Sequence, residues 1–128
     1  MLNFIDKWID QLEGQNMPVL PLKESYKKTA ANIAAVLSGQ EKSLLFVGSI
    51  NKSDIQTLCE QLSAYLPNTI SCKATGNILT EAETVKLVAD CDCIVLVEQE
   101  GKSTYPIIEQ EIQAIKDLNK SIVGFVLV

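Results

Sequence analysis

The chain has 128 residues, 47% of them hydrophobic, with 11 basic against 16 acidic side chains and a net charge of −5. This is one domain with enough apolar residues for a core, and it lacks the excess of cations needed to bind a phosphate backbone. The absence of histidine excludes an imidazole base and most zinc sites, and 5% aromatic content argues against stacking platforms for single-stranded nucleic acid.

In chain order, Leu2, Ile5, Trp8, Ile9 and Leu12 line one face of a short helix that Gly14 would end. Pro18 and Pro21 then make Met17 to Pro21 an extended connector, so residues 1–23 read as a helix plus connector ahead of a domain spanning 24–128. From Glu24, the positions Tyr26, Ala30, Ile33, Ala34 and Leu37 recur at steps of three and four, predicting a second helix that Gly39 stops. Ser53 with Gln56 has the pattern of a capping box, opening a third helix that buries Ile55, Leu58, Cys59 and Leu62 before Pro67. Thr80 with Glu83 repeats the pattern for a fourth helix carrying Ala82, Val85 and Val88. A fifth helix is capped by Ser103 or Thr104, has Pro106 in its first turn and buries Ile108, Ile112, Ile115 and Leu118. Its acidic residues Glu109 and Glu111 come early and Lys116 and Lys120 late, which suits the helix dipole.

Between the helices lie four β-branched or leucine-rich runs: Leu44 to Gly48, Thr69 to Lys73, Cys93 to Val97 and Ile122 to Leu127. Three are continuously apolar, as in strands covered on both faces. Their alternation with helices predicts an α/β three-layer sandwich with a mainly parallel sheet of about four strands. The longest apolar runs fall far short of the ~20 residues that cross a bilayer, so a cytoplasmic chain is expected.

Ligands in such sheets sit outside the carboxyl ends of the strands. The first loop there, Gly48-Ser-Ile-Asn-Lys-Ser53, stands where a phosphate-binding loop would. Lys52 and Ser53 supply its lysine and hydroxyl, but Ile50 and Asn51 replace the glycines that let backbone N–H groups wrap phosphates. A degenerate loop at Gly48, Asn51, Lys52 and Ser53, reading as an ordinary capped turn, is therefore expected. Gly101-Lys-Ser-Thr104 copies the end of such a loop, but Leu96 occupies the position of its first glycine. Glu98 and Glu100 follow one strand, whereas Asp90 and Asp92 precede it, so these acidic pairs fall at opposite sheet edges and read as solvated surface. Cys59, Cys72, Cys91 and Cys93 contain no Cys-x-x-Cys pair and lie in or beside apolar runs, as reduced structural thiols do. No catalytic residue, metal site or cofactor is expected.

Four stretches carry a resemblance: the lead-in Met17-Pro-Val-Leu-Pro21, Glu24-Ser-Tyr-Lys-Lys-Thr-Ala-Ala-Asn32, Ala89-Asp-Cys-Asp-Cys-Ile-Val-Leu-Val97 with Gly101-Lys-Ser103, and Ser121-Ile-Val-Gly-Phe-Val-Leu127. From Glu24 to Val128 the order of features resembles the cytoplasmic P-loop domain, ParA/MinD-like, of bacterial tyrosine kinases of capsule and exopolysaccharide biosynthesis. These kinases work with membrane chain-length determinants, and their opening helix drives ring-like oligomerisation. The resemblance implies a Rossmann-like, P-loop-like topology. It also places interaction residues at Glu24, Tyr26, Lys27 and Asn32, to which the apolar Phe4 and Trp8 add. The departures are equally specific. The P-loop glycines, the metal-binding aspartate strand and the tyrosine-rich tail have no counterpart, and Ala30 replaces the family's second arginine in the opening helix.

The implied function is a non-catalytic regulatory or interaction domain of polysaccharide biosynthesis, a pseudo-tyrosine-kinase involved in chain-length control at the inner face of the cell membrane. Its partner would be a second copy, bound weakly, or a membrane-bound assembly protein. The alternative is a small α/β enzyme or phosphocarrier, such as a nucleotide-binding hydrolase. A phosphocarrier cysteine should follow the first strand, yet the Gly48–Ser53 loop has none. A receiver-like domain would need an aspartate after Val47, Cys72 or Val97, and none is there.

Overall fold

A computed structural model of the chain describes residues 19–21, 26–37, 42–99 and 101–128. The helix expected over Leu2 to Leu12, with Phe4 and Trp8, lies outside the described residues, as do Glu24, Gly39 and Glu100. The elements in order are β1 (Val19–Pro21), α1 (Tyr26–Val36), β2 (Lys42–Val47), α2 (Lys52–Ser63), β3 (Ile70–Ala74), α3 (Ala82–Asp90), β4 (Cys93–Glu98), α4 (Tyr105–Asp117) and β5 (Ser121–Leu127). The strands form one sheet in the order β1-β5-β4-β2-β3, and every pairing is parallel.

Four of these strands are the four apolar runs. The fifth comes from the expected connector: Val19, Leu20 and Pro21 register with Phe125, Val126 and Leu127 of β5. A strand ending in proline suits the margin of a sheet, where its missing N–H interrupts no ladder. The opposite margin, β3, alternates buried and exposed residues, whereas central β4 is buried along its whole length.

Alternation along β2 divides the core. Leu44 and Phe46 face one layer with Ala30 and Ile33 of α1, Leu37 just after it, and Ile55, Leu58 and Leu62 of α2. Leu45 and Val47 face the other layer with Val88 of α3 and Ile108, Ile112 and Ile115 of α4. Each fully buried Leu, Ile or Phe contributes roughly 1.5–3 kcal/mol relative to exposure, so both faces are strongly specified. A register shift between Ile94 and Val95 sets an extra β5 residue against β4. It accounts for Val123 and Val126, three residues apart, reaching the same layer.

Two helix starts differ from expectation. The N-cap of α2 is Asn51, whose side chain accepts from the Ser53 N–H; Ser53 is itself in the first turn. The N-cap of α3 is Glu81 rather than Thr80, without a side-chain cap bond, and α3 buries Thr84 and Val88 while Val85 and Ala82 are exposed. The Thr84 hydroxyl instead pairs with that of buried Thr75 at 2.9 Å, joining α3 to the end of β3. At the far end of α4, Asn119 takes a left-handed conformation, φ 59°, and closes the helix with its N–H on the Lys116 carbonyl.

Candidate functional site

The connections leaving β2 and β4 run to opposite faces of the sheet, α2 to one and α4 to the other. Adjacent strands whose crossovers diverge open a crevice at their carboxyl ends, the usual ligand position in this architecture. Gly48, Ser49 and Glu98 occupy that position. Gly48 is required there: a Cβ would run into the carbonyl oxygen of Val97 on the neighbouring strand. The absent side chain lets β2 and β4 keep their spacing to the last residue, bringing the Ser49 amide onto the Glu98 carboxylate.

Glu98 is fully buried, which corrects its reading as solvated surface. Its Oε1 accepts from the Ser49 N–H at 2.7 Å and from the Ser49 hydroxyl at 2.8 Å. The Ser49 hydroxyl also lies 3.2 Å from the Ser103 hydroxyl, which accepts the Gln99 N–H at 3.0 Å. Across this knot stands Glu111 of α4, also fully buried and with neither carboxylate oxygen hydrogen-bonded to a donor. Burial pushes both carboxyls up from the usual range, and the charge of Glu98 pushes Glu111 further. Ser49 and Ser103 pull Glu98 the other way while Ser49 alone pulls on Glu111, so of the two Glu111 is the better proton holder.

Five amides of the β2–α2 turn and the start of α2 are engaged by the protein. Gly48 N–H donates to the Gly76 carbonyl, Ser49 N–H to Glu98, Ser53 N–H to the Asn51 side chain, and Asp54 and Ile55 N–H groups to the Asn51 carbonyl. Asn51, Lys52 and Ser53 are exposed, and Ile50 is buried. The glycine–lysine–serine segment is likewise structural: Gly101 supplies a positive φ of 83°, Lys102 is exposed, and Ser103 is buried in the knot.

Asp92 sits at the other edge, as its place before β4 implies. Its carboxylate accepts from the Ser43 N–H at 2.8 Å and the Ser43 hydroxyl at 3.1 Å, which holds its own carboxyl low. Asp90 is exposed at the end of α3 and does not join Glu98. No group of three or more metal-ligating side chains occurs among the described residues. Cys59, Cys91 and Cys93 are buried, Cys72 is half-buried, and burial pushes the Cys59 thiol up to about 12.

Of the expected interaction residues, Tyr26 and Lys27 begin α1 and Asn32 is exposed midway along it. Phe4, Trp8 and Glu24 lie outside the described residues, as do the side chains of Tyr26 and Lys27. The Glu98–Glu111 pair escaped the sequence reading. The available signal was spacing: Glu111 falls between Ile108 and Ile112 on the stripe that continues to Ile115, where a glutamate has to be buried. Among the described residues no helix is long and apolar enough to cross a membrane. In comparisons with family models, with curated proteins and with solved structures, none matches the chain.

Proposed function

We propose that the chain is a non-catalytic interaction domain, a degenerate relative of the capsule and exopolysaccharide tyrosine-kinase domain, acting through protein contacts in polysaccharide chain-length control. The observation carrying this reading is the engagement of the β2–α2 turn. A phosphate cradle needs backbone N–H groups aimed outward. Here the Ser49 amide serves a buried carboxylate of the protein itself, and the Ser53, Asp54 and Ile55 amides serve Asn51. A nucleotide phosphate approaching this edge meets the exposed carboxylate of Asp54 in the first turn of α2. Phosphoryl transfer depends on positioning and charge neutralisation, for which this turn offers the single cation of Lys52.

The phosphocarrier alternative needs a nucleophilic thiol at this same edge, whereas Cys59 is buried on α2 with its thiol held protonated by desolvation. Calorimetry with ATP and Mg²⁺ separates the readings. At roughly millimolar nucleotide, about 4 kcal/mol of binding free energy would register, and no saturable heat is expected. A low-micromolar dissociation constant would overturn the proposal and return the domain to the nucleotide-dependent enzymes.

A further inference from the structure

Two fully buried carboxyl groups facing each other, with no cation beside them among the described residues, need a reason to remain inside the fold. Glu98 ends β4, Glu111 lies on the second turn of α4, and the Ser49 hydroxyl stands beside both. With both groups ionised the two buried charges repel, and the Ser49 hydroxyl beside Glu111 is already donated to Glu98. A single proton on Glu111 removes the repulsion and creates a donor to Glu98, while Glu98 keeps its serine bonds.

We propose that Glu98 and Glu111 share one proton as a latch between the sheet edge and α4, and that losing it in mildly alkaline solution loosens the crevice at Ser49 and Ser103. This goes beyond the interaction-domain reading and does not depend on it. The surrounding titratable groups leave the pair to itself. On α2, Lys52 and Asp54 are exposed; on the β4–α4 connection Lys102 is exposed, and Glu100 lies outside the described residues. On α4, Glu109 is exposed and Tyr105 half-buried, and the β5 residues opposite Glu98 carry no charge. Glu81, ahead of α3, is committed to the Asn77 N–H. The charge that acts on Glu111 is that of Glu98.

The direction of the pH effect follows from linkage. Both carboxyls are raised above their unfolded values, so the folded protein binds more protons, and their contribution is complete below the ordinary carboxylate range. It is then lost as pH climbs through the raised values. Thermal unfolding of the full chain between roughly pH 5.5 and pH 8 stays below the range in which the buried thiols ionise. Over that window the midpoint should fall by roughly 5 °C or more. The protection factor of the Ser49 amide, its exchange rate corrected for the base-catalysed rise of an unprotected amide, should fall at the alkaline end by roughly tenfold. Glu111→Gln, whose amide donates to Glu98 as the protonated acid would, should stay folded and flatten both dependences. Should that variant not fold, infrared spectra of the native chain decide: a protonated carboxyl band present near neutrality and lost with rising pH is expected. A flat wild-type profile, an unchanged slope in Glu111→Gln, or no carboxylic acid band near neutrality overturns the latch. So does a slope abolished by Mg²⁺ or Ca²⁺, which would make the pair a cation site.

Discussion

Glutamate at position 111 interrupts an isoleucine stripe, and its burial separates residue identity from residue environment. The same distinction governs the cysteines. All four thiols are raised chiefly by desolvation, and Lys120 near Cys91 only partly offsets it. A thiol kept protonated reacts slowly, because the thiolate is the nucleophile. Alkylation of the native chain near pH 8 should be at least tenfold slower than in denaturant at Cys59, Cys91 and Cys93, with half-buried Cys72 the first to react. Peptide mapping by mass spectrometry measures this, and rapid native labelling of Cys59 would contradict its place in the core.

Element boundaries turn on which side chain reaches the first free amides. The capping-box pattern of Ser53 with Gln56 points to Ser53 as the start of α2, but the cap is Asn51, two residues earlier. The Asn51 side chain holds the Ser53 amide, whereas the exposed Ser53 hydroxyl only donates back to Asn51. Asn51→Ala should therefore cost about 1 kcal/mol and Ser53→Ala a few tenths at most, measured by urea unfolding. Equal effects would mean the two share the cap. The end of α4 was more legible, since Lys116 and the following Asn119 match the usual closing chemistry of a helix.

At the scale of the whole molecule, α1 and α2 cover one face of the sheet and α3 and α4 the other. Under the proposed function, residues 1–32 carry the contact, through Phe4, Trp8, Glu24, Tyr26, Lys27 and Asn32. With Ala30 buried in the core rather than an arginine available for an intersubunit ion pair, a weak dimer is expected instead of a stable ring. Sedimentation velocity over a concentration series tests this. Trp8→Ala and Glu24→Lys should each weaken association by roughly tenfold, about 1.4 kcal/mol. A native chain that stays monomeric at several hundred micromolar, on the order of 5 kcal/mol of association, would leave only a different protein as partner.

The α/β class, the helix faces and the four long strands follow from apolar periodicity, a local property that survives without knowledge of partners. Val19–Pro21 reads as connector because three residues that follow one proline and end in another define no strand until β5 offers them a ladder. The strand order, and hence the crevice between β2 and β4, depends on pairings between residues about fifty apart, which no local pattern encodes. Glu98 and Glu111 lie on separate elements, each ordinary alone. Only the packing of α4 onto the sheet edge buries both, and burial turns two surface-like glutamates into a pair that must share a proton.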